Sequence, residues 1–573
     1  MSIQSILLLF FACLVISHPV MKRDDLSSSP IVHVKNGSIQ GQVIERFNQD
    51  AYLGIPYAQP PLGSLRFVSP QSLNQSWSDV KTFDTYGPSC FASGSNQSSQ
   101  LPQSEDCLKL NVVKPRGYDN SSVKLPVAVW IHGGSFMDGS STRPSYNLSY
   151  IVENSVDIGK PFIGVSLNYR LTGFGFLRSR EVEYKGYTNV GLRDQIKAIQ
   201  WVHENIEAFG GDPNHLVIWG ESAGGYSVGK LLNSGQLGDY VKGAIMESGT
   251  SMFADYFADT LVTAEDDFAK LSNHFNCSEA PSSFECLQHV DAHELNHVFN
   301  ETNKIIKGGF HQAYVDGDII PKSSYLSLQA GEYKKIPLLL GSNSDEGYDF
   351  INTTLNTTEE FKAALAKDFP YLTKSSIDKL DELYPLGDAS VSSPLDPTYN
   401  NTPIEYPSSY GKQAPRMSVL WGDLLFIAGA RKTAEIFSRD GVPVHKYRHN
   451  IPDNETFNEP FIGAKHFTEI VYVFDNPDEP EHSTLGEIMF DDPRIPNVSK
   501  SISKMWASFI TDLDPNLNQD QLNIDDVPKW PEYKDGAQNI VFDINGFYLE
   551  DDTWRKEQFK FIESIEIEQL EMR

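Results

Sequence analysis

Two hydrophobic periods alternate along this chain. Pro126 to Trp130 is a short, almost continuous apolar run, and so is Leu216 to Trp219. Such runs, four to eight residues long and rich in Val and Ile, predict buried strands. Between them, Gln195 to Ala208 places Ile196, Ile199, Trp201, Val202 and Ile206 mostly three or four residues apart. That spacing lines one face of a helix, and Gly210-Gly211-Asp212 ends it. Strand, helix and strand in succession predict an α/β chain with a mostly parallel sheet. A further apolar run, Ile336 to Leu340, extends the pattern. The core of the sheet is expected from about Asp24 to Leu340. A helical cap over the strand ends is expected from about Ser251 to Tyr410, after which the chain should return to the sheet with His466. Asp388 to Ser409, rich in Pro, Ser, Thr and Asn, reads as a long surface loop.

The ends of these strands carry chemistry. Leu216 to Val228 reads LVIWGESAGGYSV, so Gly220-Glu221-Ser222-Ala223-Gly224 is a G-x-S-x-G turn between a strand and a helix-compatible stretch. That arrangement puts a serine at the apex of a tight turn and at a helix N-terminus, where developing negative charge is favoured. After Pro126–Trp130 comes Ile131-His132-Gly133-Gly134-Ser135-Phe136, an H-G-G-x turn. Here the backbone N–H groups of Gly134 and Ser135, with that of Ala223, are expected to form an oxyanion hole. His293-Glu294-Leu295-Asn296-His297 matches the H-E-x-x-H pattern of zinc peptidases. It lacks the G-x-x-H extension, and Asn300 opens a sequon beside it, so an exposed helix with no metal is the expectation.

From about Val32 to Phe547 the chain resembles the type-B carboxylesterase/lipase family, which includes cholinesterases, carboxylesterases and secreted yeast lipases of the Candida rugosa kind. The resemblance rests on Tyr52-Leu53-Gly54-Ile55-Pro56-Tyr57-Ala58, Leu65-Arg66-Phe67, Ser104-Glu105-Asp106-Cys107-Leu108 and Leu167-Asn168-Tyr169-Arg170. Asn189-Val190-Gly191-Leu192-Arg193-Asp194-Gln195, the Gly220–Gly225 turn, Met246-Glu247-Ser248-Gly249, Asp345-Glu346-Gly347 and Trp506-Ala507-Ser508-Phe509 follow in order. It implies an α/β-hydrolase fold: a large, mostly parallel central sheet flanked by helices, with a helical cap region. It also implies a triad of Ser222, Glu346 and His466, with Ser248 supporting the acid. That assignment matches the chemistry, since a serine hydroxyl needs an imidazole to take its proton and the imidazole needs an acid to orient it. Where many relatives have three glycines in the oxyanion loop, this chain has Gly133-Gly134-Ser135. The added bulk on the alcohol side predicts poor turnover of tertiary-alcohol esters.

Cys13 lies in an apolar leader, leaving Cys90, Cys107, Cys277 and Cys286, which allow three pairings. The resemblance selects Cys90–Cys107 and Cys277–Cys286 and implies an oxidising compartment. Ile6 to Ile16 is an apolar stretch too short to span a bilayer. Residues 1–17 therefore read as a secretory signal peptide and 18–23 as a propeptide ending at Lys22-Arg23, followed by a single catalytic domain over 24–573. Twelve N-x-S/T sequons fit a secreted glycoprotein: Asn36, Asn74, Asn96, Asn120, Asn147, Asn276, Asn300, Asn352, Asn356, Asn400, Asn454 and Asn497. Phe561 to Arg573 alternates charged and apolar residues, the pattern of neither a lipid-anchor signal nor an integral membrane anchor. Forty-seven basic residues against seventy-six acidic give a net charge of −29, which argues against nucleic acid as a partner.

The expected reaction is acyl transfer through a serine ester, with a small-molecule or lipid ester as substrate and neither metal nor cofactor required. In the yeast lipases the first disulfide loop is a long amphipathic lid. Here Phe91 to Asp106 is short and polar, with Phe91 and Leu101 its main apolar residues and no tryptophan. So little apolar surface cannot form a hydrophobic lid, and the loop offers no indole for choline. A secreted carboxylesterase acting on soluble, short-to-medium acyl esters is the first expectation. The second is a triacylglycerol lipase or sterol esterase acting on long chains, with transesterification or lactone activity. An inert adhesion relative is the third, and the retained Ser222, Glu346 and His466 argue against it.

Overall fold

The computed structural model describes residues 29–93, 102–118, 123–252, 261–300, 305–306, 310, 312–388, 391, 395–396, 402–403, 407–452, 462–476 and 492–570. The expected leader, the dibasic pair and Cys13 lie outside the described residues. So do Asn96, Asn120, Asn400 and Asn454, most of the 388–409 loop, and residues 94–101 of the first disulfide loop. Among the other sequon asparagines, Asn74, Asn276, Asn300, Asn352, Asn356 and Asn497 are exposed, whereas Asn36 and Asn147 are half-buried.

Eleven strands form one sheet. In chain order they are β1 (Gln42–Ile44), β2 (Gln49–Pro56), β3 (Lys109–Pro115), β4 (Leu125–Ile131), β5 (Ile163–Leu167) and β6 (Gly211–Glu221). β7 (Val241–Glu247), β8 (Leu338–Asn343), β9 (Val444–His449), β10 (Gln538–Phe542) and β11 (Tyr548–Asp551) follow. Across the sheet they run β11-β10-β9-β8-β7-β6-β4-β5-β3-β2-β1. All pairings from β10 to β5 are parallel, and those at both edges are antiparallel. The chain returns to the sheet after the cap, as expected, but the core reaches well past Leu340, because three strands, β9, β10 and β11, come from the C-terminal third. Their short, partly polar strands (VHKYRH, QNIVF, YLED) lack the long apolar runs that mark β4 and β6.

Strand alternation explains how the sheet is covered on both faces. Val127, Val129 and Ile131 of β4 join Leu216 and Ile218 of β6 on one face, beneath helices Val190–Asn205 and Ala223–Asn233. Ala128, Trp130, Val217 and Trp219 point to the other face, beneath Leu148–Asp157 and Ile495–Asp512. The helix Val190–Asn205 begins five residues before the expected start and gives way three residues before the expected end to a 3-10 turn, Ile206–Phe209. Thr358–Asp368, Lys374–Leu383 and Ala414–Arg439 build a separate apolar cluster with the C-terminal helix Lys556–Ile565. The cap thus runs past Tyr410 and includes residues far along the chain. Among the described residues, no helix is long and apolar enough to cross a membrane.

Several landmark residues pair to join these layers. Arg170 grips Asp194 with two hydrogen bonds of 2.7 Å, both residues buried. Arg66 does the same with Glu105 at 2.6 and 2.8 Å. Disulfides join Cys90 to Cys107 and Cys277 to Cys286, as the resemblance implies.

Candidate active site

Ser222 follows β6 directly and caps the helix Ala223–Asn233 with φ 53° and ψ −122°. A non-glycine residue with such torsions is strained, and strain of this kind gathers at functional turns. The turn is tight because its glycines leave no room for side chains. A Cβ on Gly224 would lie 2.0 Å from the Ile131 carbonyl oxygen, and one on Gly220 would lie 2.4 Å from the Gly224 carbonyl carbon. The H-G-G-x turn abuts this apex: a Cβ on Gly133 would sit 3.0 Å from Ser222 Cβ.

Gly134, Ser135 and Phe136 all have positive φ, at 106°, 55° and 58°. The Gly134 carbonyl accepts from the N–H groups of Met137 and Asp138, which fixes the loop. Among the described residues, no acceptor takes the backbone N–H of Gly134, Ser135 or Ala223. The Ser135 side chain is exposed, on the approach to the turn. His132 is structural. Its ring stacks on Tyr169 at 4.5 Å, its carbonyl accepts from the Tyr169 hydroxyl, and burial pushes its pKa down to about 4.

Glu346 lies just past β8, fully buried, and one oxygen accepts from the Asn343 N–H at 2.6 Å. His466 lies in the loop after β9, with Nδ1 2.5 Å from the other Glu346 oxygen. Its Nε2 has no hydrogen-bond partner among the described residues and lies 3.3 Å from Glu221 Oε1, on the residue beside Ser222. Two of the three expected triad residues, Glu346 and His466, meet where the parallel strands end; Ser222 is the neighbour of the Glu221 that faces His466 Nε2, and among the described residues no hydrogen bond joins Ser222 to His466.

Ser248 is also buried here, but its hydroxyl donates to Glu469 at 3.0 Å rather than to Glu346. Its link to the acid is indirect, through Glu469 and Asn343, whose side-chain amide reaches the other Glu469 oxygen at 2.5 Å. Glu469 carries no recognisable signal three residues beyond His466, and the sequence reading missed it. It also missed Glu247, which accepts from the indoles of Trp219 and Trp506. Four glutamates therefore crowd the site: Glu221, Glu247, Glu346 and Glu469. Burial raises Glu221 to about 8 and Glu469 to about 7, and neighbouring carboxylates add to both shifts. His466 responds in the opposite sense to its own burial. Burial lowers its pKa, but Glu346, Glu221 and Glu469 outweigh it and push the value up to about 9.

The H-E-x-x-H pattern lies on the helix Ala292–Asn300, and among the described residues no group of three or more candidate metal ligands assembles. His293 instead sets its ring edge-on to Phe91 at 5.0 Å. Phe91 is itself buried, stacked on Phe174.

Comparison with known proteins assigns the class. The model of the carboxylesterase family matches residues 28–561. The chain belongs to that family, adopts the α/β-hydrolase fold and is a carboxylic ester hydrolase. It is 32% identical to Lipase 5 of Diutina rugosa, over 86% of this chain and 88% of that one. It is 29% identical to a secreted triacylglycerol lipase of Gibberella zeae, over 94% and 91%. The crystal structure of Aspergillus niger EstA superposes with a TM-score of 0.80 at 27% identity, over 95% of this chain and 99% of that one.

Proposed function

We propose that this chain is a secreted serine carboxylesterase that uses Ser222, His466 and Glu346 on soluble esters of short-to-medium acyl length. The observation that carries the proposal is the 2.5 Å contact between His466 Nδ1 and Glu346, beside a strained serine turn. His466 Nε2 takes the Ser222 proton as Oγ attacks the ester carbonyl. The N–H groups of Gly134, Ser135 and Ala223 hold the oxyanion. The carbon–oxygen bond to the alcohol breaks, and His466 returns the proton to the departing oxygen. Water then repeats the sequence on the acyl-serine, releasing the acid and restoring the enzyme. An alcohol in place of water gives transesterification.

The buried position of Phe91 supports the short-ester reading, because it removes one of the two main apolar residues from any lid. Two disulfides and the secreted relative support secretion. The lipase names of two relatives support the second reading, a triacylglycerol or sterol ester lipase. Hydrolysis of p-nitrophenyl esters from acetate to palmitate, across each solubility limit, separates the two. Ser222→Ala should lose about five to six orders of magnitude in kcat on every ester. Wild type should be fastest on short soluble esters and show no jump at the limit. A surge on aggregated long chains favours the lipase, and equal rates for the two proteins overturn the triad.

A further inference from the structure

One side chain outside the proposed triad covers a whole face of its base. The Phe426 ring lies 4.4 Å from the His466 ring, centroid to centroid, with only 28° between the planes. Phe350 closes the edge of the same imidazole at 5.3 Å and 70°. Phe426 is buried, within a single π-helical turn, Asp423–Ile427, that joins helices Ala414–Gly422 and Ala428–Arg439. Such turns re-aim side chains within a helix and recur at functional sites.

This turn is clamped. Asp423 is fully buried, accepts from the Tyr384 hydroxyl at 2.7 Å and pairs with Arg555 at 2.8 Å. The helix before it also bears on the acid. A Cβ on Gly347 would meet the Ser418 carbonyl oxygen at 2.0 Å, and one on Gly422 would lie 3.4 Å from Glu346 Cβ. A single helical rod therefore touches both partners of the His466–Glu346 pair.

We propose that Phe426 is a positioning residue for His466, held against the imidazole by a π-helical turn that Asp423, Tyr384 and Arg555 lock in place. This rests on His466 being the base. Glu346 fixes one ring nitrogen but leaves rotation about that hydrogen bond, and a stacked ring removes it. The phenyl face also carries negative quadrupole density, which favours the imidazolium formed as Ser222 loses its proton. The ionisable groups around His466 are Glu346, Glu221 and Glu469, with Lys465 and Asp349 3.9 Å from each other on the neighbouring loops and Arg143 over Phe467.

The test is steady-state kinetics on p-nitrophenyl butyrate from pH 5 to 10 for the full chain and its variants. Phe426→Leu should lower kcat about tenfold with KM little changed. It should also move the acidic limb down by about half a pH unit. Phe426→Tyr should restore both, and Arg555→Gln should shift both in the same direction by less. Phe426→Met gives the same readouts with less disruption if leucine impairs folding. A rise in KM alone, with kcat and the limb unmoved, overturns the proposal and makes Phe426 a substrate contact. His466→Ala separates the two levels. Activity retained in that variant sinks the base assignment, whereas an inactive His466→Ala beside a wild-type-like Phe426→Leu sinks only the positioning role.

Discussion

His466 must be neutral to accept a proton, yet three carboxylates favour its charged form. Burial alone would lower its pKa, and Glu346, Glu221 and Glu469 together push it up to about 9. Hydrolysis should therefore climb with pH well past neutrality. Above about pH 8, where Glu221 is ionised, Glu221→Gln removes one negative charge 3.3 Å from Nε2. The imidazolium loses support, its pKa falls, and the acidic limb of kcat/KM should move down by about one unit. A limb that stays in place under this substitution contradicts the electrostatic account. Ser135 makes a second prediction at this scale. Its φ is 55°, and its exposed side chain adds bulk beside the serine turn. Turnover of tert-butyl acetate should be negligible beside ethyl acetate, and Ser135→Gly should raise it. Comparable rates on both esters with wild type would dispose of that idea.

At the scale of elements, the long apolar strands and the amphipathic helix were legible because each buries a regular pattern. Leu216 to Trp219 sends alternate residues to opposite faces, and both faces are covered. The two glycine turns were legible because close approach admits no other residue there. The late strands were not, since Val444–His449 carries His445, Lys446 and His449 buried and Arg448 half-buried. Lys446 is accommodated because Asp552 lies 2.9 Å away and Asn539 Oδ1 accepts from it at 3.0 Å, partners more than 90 residues along the chain with no local signature. Glu469 and Phe426 were hidden for the same reason. His466 needed the family resemblance, as an isolated histidine carries no sign of its partners. Elements also meet through buried ion pairs, and Arg170–Asp194 is the test case. Asp194→Asn leaves a buried guanidinium uncompensated and should cost about 3–5 kcal/mol in denaturant melts. The double change Arg170→Met/Asp194→Leu should cost less than that single one. A double variant weaker than Asp194→Asn would show that the pair itself stabilises the fold.

Across the whole molecule, the proton inventory of the site opposes its chemistry. Glu221 and Glu469 stay protonated in the fold up to about 8 and 7, whereas their unfolded counterparts titrate near 4.5. The stability they confer is complete below 4.5 and is lost as pH rises through those folded values. His466 acts in the same sense, fully below 6.5 and lost through about 9. On the acid side, hydrogen bonding from Arg439 holds Asp440 down at about 2, so its share is present above 3.8 and lost as pH falls through 2. The net charge of −29 adds self-repulsion at high pH. The melting temperature should peak near pH 5 and decline steadily toward pH 9, even as activity rises. A stability maximum at pH 8 would refute this accounting.

The sheet order has a consequence for synthesis. β8 opens with three leucines where it pairs with β9, yet 100 residues lie between Asn343 and Val444. A ribosome adds about 5 to 20 residues per second. For roughly 5 to 20 seconds the nascent chain therefore presents an unpaired hydrophobic edge, the kind of surface that invites pairing with a neighbouring chain. Yield from cells should accordingly depend on how well chaperones shield that interval, whatever the stability of the finished enzyme.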